Sequence, residues 1–134
     1  MPISQTFDIN PVPASRPRVS RWSTYYPKKY TQFKKDMYAL LSVMDITPSE
    51  KLVCVHIDFK ISIPKSWSKK KKREKENSYC DNNSDIDNYI KAALDSFNGF
   101  YFVDDKQVVE IFARKRYSSV PCIKFKILEI KNDD

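Results

Sequence analysis

Val53-Cys54-Val55-His56-Ile57-Asp58-Phe59-Lys60-Ile61-Ser62-Ile63 alternates apolar and polar side chains without a break. In an extended chain successive side chains point to opposite faces, so Val53, Val55, Ile57, Phe59, Ile61 and Ile63 share one side. Cys54, His56, Asp58, Lys60 and Ser62 share the other. The pattern predicts a long strand over 51–63, buried on one face and ended by Pro64. Such a strand needs a cover for its apolar face and partners along both edges.

The flanking sequence supplies both. Ile123, Phe125 and Ile127 alternate with Lys124 and Lys126, predicting a strand over 121–130. Another is predicted over 107–116, joined to it through Ser118-Ser119-Val120-Pro121. Residues 3–9 alternate loosely as a first strand. Phe33, Met37, Leu40, Leu41 and Met44 recur at helical spacing and predict a helix over 30–44, ended before Pro48. Ile86, Ile90, Ala93, Leu94 and Phe97 predict a second helix over 85–97, with Asn98-Gly99 as its stop. The expected architecture is α+β: a single layer of mixed, mostly antiparallel sheet with two main helices over one face.

With 134 residues, the chain is read as one domain, 1–134. Pro11, Pro13 and Pro17 exclude regular ladder pairing where they stand, which makes 10–29 an extended or irregular N-terminal arm. Residues 64–83 form a basic loop, with a helical turn or mobile stretch over 65–75 and a polar remainder expected to lack order without a ligand. The single glycine, Gly99, excludes Gly-rich phosphate loops. Three cysteines without CxxC spacing exclude a zinc knuckle and suit a reducing compartment. No apolar run is long enough for a membrane span, and no basic-then-apolar leader is visible.

Net charge is +7, which favours a polyanionic partner. Its distribution is uneven. Residues 1–80 carry 16 basic and 7 acidic side chains, whereas 81–105 carry six aspartates against Lys91 alone. An acidic island in a basic chain repels nucleic acid unless a cation neutralises it. Asp85 and Asp87 open the second helix, and Asp105 follows eighteen residues after Asp87. Taken singly, Asp85 suits a helix cap and Asp87 suits the helix dipole. Neither role requires Asn88 or Asp105. If the chain returns Asp105 to the helix start, three carboxylates converge, and oxygen-only ligation selects Mg²⁺ or Mn²⁺ over zinc. Such an ion would activate water for attack on a phosphodiester.

Lys91, four residues after Asp87, is either a surface ion-pair partner or a cation for the scissile phosphate. Asn88 is read as support for a carboxylate, Asp104 as a water-mediated ligand or turn residue, and Asp95 as surface. Arg16, Arg18, Arg21, Lys28 and Lys29, interleaved with Trp22, Tyr25 and Tyr26, suit backbone contact with stacking. Lys65, Trp67, Lys69, Lys70, Lys71, Lys72 and Arg73 form a second DNA-binding candidate. His56, the sole histidine, is read as structural or surface, which leaves no nucleophilic triad.

The run 84–99, SDIDNYIKAALDSFNG, followed by 103–108, VDDKQV, resembles the RusA family of Holliday-junction resolvases, small endodeoxyribonucleases common in phages and prophages. Arg16-Pro17-Arg18, Tyr26-Pro27-Lys28-Lys29 and Pro64-Lys65-Ser66-Trp67 also fit, so the resemblance extends over about 7–128. Ser84 stands where many members carry proline, and 79–83 is neutral to acidic where they are basic. The resemblance implies a cytoplasmic, phage- or prophage-type homodimer without membrane attachment. It implies paired nicks in four-way DNA junctions, with Mg²⁺ (or Mn²⁺) at Asp85, Asp87 and Asp105 and with Lys91 as catalytic lysine. The alternatives are a non-catalytic binder of branched DNA and a nuclease preferring other branched structures such as flaps.

Overall fold

In a computed structural model, which describes residues 2–25 and 27–131, the alternating stretch is one of the two inner strands of a four-stranded sheet. Strands β1 (Ile3–Phe7), β2 (Arg18–Val19) and β3 (Thr24–Tyr25) precede helix α1 (Lys28–Ser42) and strand β4 (Val53–Ser62). Helices α2 (Lys69–Lys75) and α3 (Ile86–Phe97), a 3-10 turn (Asp105–Gln107), and strands β5 (Val108–Ser118) and β6 (Cys122–Glu129) complete the chain. The sheet order is β1-β6-β4-β5. The β1–β6 and β6–β4 pairings are antiparallel; β4 and β5 run parallel. The mixed, mostly antiparallel sheet with helices on one face matches the expected fold class.

Val53, Val55, Ile57, Phe59 and Ile61 are buried, as the alternation requires. They pack with Phe7 and with Ile123, Phe125 and Ile127 of β6 beneath α1 and α3. Helix α1 contributes Tyr30, Phe33, Met37 and Leu41 at helical spacing. At the core's centre, Phe97 stacks at 4.2 Å on Phe125 and 5.5 Å from Phe7, and meets Tyr101 edge-on at 5.4 Å. Among the described residues no helix is long and apolar enough to cross a membrane. All three cysteines are buried and free.

Three expectations need correction. The buried face of α3 is Tyr89, Ala92, Ala93 and Phe97, whereas Ile86, Ile90 and Leu94 are only half-buried. Alanines let the helix lie close to the sheet, and the Tyr89 hydroxyl can be buried because Asn82 Nδ2 donates to it at 2.9 Å. The stretch after α2 is placed rather than loose. Asn77, in the left-handed region at φ 64°, turns the chain onto the outer edge of β5. There Asn77 N–H donates to Tyr117 O, Tyr117 N–H to Ser78 O and Cys80 N–H to Lys115 O, at 2.9–3.0 Å. Finally, the N-terminal arm contains a short ladder. Pro11, Pro13 and Pro17 lie before the paired residues and Pro27 after them, and Ser20 Oγ accepts from Ser23 N–H at 3.0 Å to close the turn between β2 and β3. Tyr26 of the Tyr-Pro-Lys-Lys run lies outside the described residues, as do 1 and 132–134 of the expected domain.

Core position separates phenylalanines of identical chemistry. Phe97→Ala should cost about 3–5 kcal/mol of unfolding free energy, and Phe112→Ala, on an exposed strand position, about 0.5 kcal/mol or less; urea unfolding of both variants checks this.

Candidate functional site

Asp85 occupies the N-cap position of α3 with extended backbone (φ −73°, ψ 145°), yet its carboxylate accepts no capping hydrogen bond. It is exposed, as is Asp87 in the first turn. The helix dipole favours both charges there. What holds this helix start is a set of bonds behind it. The ammonium of Lys115, on the helix-facing side of β5, donates to Asn82 Oδ1 at 2.7 Å and to the carbonyl of Ser84. Ala14 N–H of the N-terminal arm donates to Asn88 O at 2.8 Å. The arm carrying Arg16, Arg18 and Arg21 is thereby pinned beside the α3 N-terminus.

Asp105 arrives by a tight reversal. Gly99 adopts φ 84° and donates its N–H to Phe102 O at 2.8 Å, and Val103 N–H then donates to Ser49 O. The turn lies beside α3: the electrostatic neighbours of Asp105 are Asp104, Asp95 and Lys91. Among the described residues no three His, Cys, Asp or Glu side chains stand close enough to hold a metal ion. The structure thus brings Asp105 to Lys91 and Asp95, one helical turn and two along α3 from Asp87, which stands with Asp85 at the helix start.

Asp95 is more than a surface residue. It is half-buried, and Tyr30 Oη donates to its Oδ2 at 3.1 Å, tying α1 to α3. Its spacing of four from Lys91 and eight from Asp87 is visible in sequence; its partner on α1 is not. Gln107 was also missed as a structural residue. It is buried, accepts from Asp104 N–H at 2.8 Å, and donates to Ser49 O and Lys51 O, both at 2.7 Å. Asp104 caps the 3-10 turn by accepting Lys106 N–H at 3.0 Å. The signal for Lys115 was its place between Ala113 and Tyr117, where alternation calls for an apolar side chain.

The basic segments flank this site differently. Lys28 and Lys29 are exposed in the first turn of α1, where the dipole disfavours cations and no acidic residue offsets them. Ser68 Oγ caps α2 through Lys71 N–H at 3.1 Å, and none of the α2 residues is buried. Trp67 is half-buried edge-on against Tyr117 at 5.1 Å, with the Lys71 ammonium 4.1 Å above its ring. Lys65, Lys69, Lys70 and Arg73 are exposed, and Lys72 half-buried. In the arm, Trp22 is 86% exposed with the Arg21 guanidinium beside its ring.

A family model described as endodeoxyribonuclease RusA matches residues 8–128. The chain belongs to the RusA family. Over 69 residues it is 36% identical to the uncharacterised protein YqaN of Bacillus subtilis (strain 168), a match covering 52% of this chain and 49% of that protein. This RusA-family chain thus spans about half the length of the curated relative it matches.

The acidic turn is electrostatically loaded. The Lys106 N–H and a hydrogen bond with Asp105 hold the Asp104 carboxyl below its ordinary range. Asp105 is pushed up by that shared hydrogen bond first, then by desolvation and by the charges of Asp104 and Asp95, with Lys91 pulling the other way. A raised carboxyl binds more protons folded than unfolded, so its contribution to stability falls as pH rises through the window between its ordinary and raised values. The lowered Asp104 has the opposite sign, and the two titrate as a pair. In EDTA at neutral pH, Asp105→Asn should therefore melt at or slightly above the parent temperature, with the difference closing in acid. Scanning calorimetry across pH checks the sign, and a variant clearly less stable at neutral pH counts against repulsion.

Proposed function

We propose that the chain is a divalent-metal-dependent endonuclease that cuts four-way DNA junctions. In this reading Asp85, Asp87 and Asp105 are the ion's donors, and Lys91 acts at the scissile phosphate. The observation that carries it is the family match over residues that include every one of these side chains. The donor set fits the ion in kind, since all three groups are carboxylates and hard cations take oxygen. Asp85 supports the role by leaving its carboxylate free of a capping bond. When bound, Mg²⁺ or Mn²⁺ supplies positive charge for the scissile phosphate and makes water a competent nucleophile at neutral pH.

The chain's own residues do the rest. Lys91, exposed and close enough to act on Asp105, offsets charge as the phosphate becomes five-coordinate or hands a proton to the leaving oxygen. Gln107 anchors the acidic turn to Ser49 and Lys51, and Lys115 anchors the chain leading into Asp85. Arg16, Arg18 and Arg21 on the arm, Lys28 and Lys29 at the α1 start, and the exposed α2 cations meet phosphates of the junction arms. Two nicks in strands of like polarity call for two sites related by a twofold axis, which a homodimer supplies.

Labelled four-way junction, flap and linear duplex, incubated in parallel with Mg²⁺, Mn²⁺ or EDTA, test this reading. The parent should nick junctions fastest and only with a divalent ion. Asp87→Asn should bind the junction and lose cleavage, and Lys91→Ala should slow it by about 10²–10³-fold. Undiminished cleavage by Asp87→Asn removes the site assignment. Junction binding without nicks in any ion points to a non-catalytic binder, and faster flap cutting to a flap nuclease.

A further inference from the structure

Among the described residues no helix covers the sheet's second face, and its composition is unusual for a face left to solvent. Reading across the strands from β1, one row is Ser4, Lys126, His56 and Phe112. The next is Thr6, Lys124, Asp58 and Arg114, and beyond it stand Lys60 and Arg116. Five cations thus face three carboxylates: Asp58, Glu110 toward the β5 start, and Asp8, which follows β1 and shares the surroundings of Cys122 with Lys60 and Lys124. Asp58 is committed to the arginines, accepting Arg116 Nη2 at 2.9 Å and Arg114 Nη2 at 3.3 Å. Lys60, Lys124 and Lys126 form no ion pair with a described carboxylate.

Among these cations lies an aromatic pair. His56 and Phe112 have ring centroids 4.9 Å apart, both are exposed, and Phe112 shows 59% of its surface to solvent. They border a shallow depression of about 850 Å³ that reaches Lys124, Lys126 and Arg114. Cations at alternate positions of one strand stand about 6.8 Å apart and those on neighbouring strands about 4.8 Å, so the face repels itself, as like charges on paired strands do. A polyanion relieves that repulsion. A second copy would set one cationic face against another. A duplex would lay phosphates over Phe112, whereas an unpaired strand can stack a base on the ring pair and run its phosphates past the lysines.

We propose that this open face, centred on Phe112 and His56 and ringed by Lys124, Lys126 and Arg114, binds an unpaired DNA strand. The inference rests on the reading of the chain as a branched-DNA nuclease, because strands at a branch are where unpaired bases occur. The binding test is nevertheless independent of cleavage.

The full chain in EDTA is titrated against a fluorescent oligo-dT by anisotropy, with the same length of duplex as competitor. Phe112→Ala should weaken oligo-dT binding about 5- to 100-fold, Phe112→Trp should restore it, and duplex should compete poorly. Joint Lys124→Gln and Lys126→Gln should flatten the salt slope by about 1.4, from roughly 0.7 per phosphate contact on single strands. Binding unchanged in both variants, with urea unfolding showing each folded, overturns the proposal. So does a loss of oligomeric mass in Phe112→Ala on sedimentation without DNA, since the face would then belong to a second copy. Intact oligo-dT binding that depends on Phe112, in a chain that nicks no branched DNA in any divalent ion, upholds the platform and rejects the nuclease reading.

Discussion

Parallel pairing of β4 with β5 constrains the rest of the molecule, because parallel neighbours cannot be joined by a hairpin. The chain leaves the end of β4 at Ser62 and must return to the opposite end of the sheet before β5 begins at Val108. A crossover of this kind needs a dozen residues or more; here it takes 63–107. That crossover carries α2, the edge segment after Asn77, α3 and the acidic turn. It therefore holds every carboxylate of the candidate site as well as Lys91, while the sheet supplies the rigid floor. Parallel registry also places Lys115 beneath the chain entering α3, so a β5 residue can brace a helix start far from it in sequence.

The acidic turn holds its carboxylates against their own repulsion. Asp104 and Asp105 act on each other's titration next to Asp95, an arrangement that holds like charges together without full compensation. Gln107 keeps the turn in place with bonds to two backbone carbonyls, and Tyr30 holds Asp95 from the other side. The backbone beneath Asp104 and Asp105 is thus fixed by bonds that do not depend on their charge. The turn returns beside Lys91 and Asp95 of α3, while Asp85 and Asp87 stand exposed at the start of that helix.

The two faces of the sheet divide the work of packing and recognition. One face contributes Val, Ile and Phe side chains to the core, where burial stabilises the fold. The other carries cations and a solvent-exposed ring pair whose mutual repulsion gives nothing to folding. Asp58 moderates that repulsion by binding Arg114 and Arg116 together, leaving Arg116 Nε and its own Oδ1 without partners among the described residues. Lys28, Lys29 and the lysines of α2 show the same economy. Each occupies a position that helix electrostatics or exposure makes indifferent or unfavourable to stability.

The amino-acid sequence by itself determined the local elements, since alternation in 53–63 and helical spacing in 30–44 and 85–97 are short-range patterns. It also determined the family, because SDIDNYIKAAL and VDDKQV carry it in contiguous residues. Long-range geometry was decided only by the tertiary structure. Sequence spacing states how far Asp105 is from Asp87 along the chain. The left-handed turn at Gly99 and the bond to Ser49 set where along α3 it returns. Likewise, alternation marks Lys124, His56 and Arg114 as sharing a face of their own strands. Only the register of β6 against β4 and β4 against β5 makes them one surface, because cross-strand neighbours are chosen by hydrogen bonding and core packing that no single strand's sequence contains.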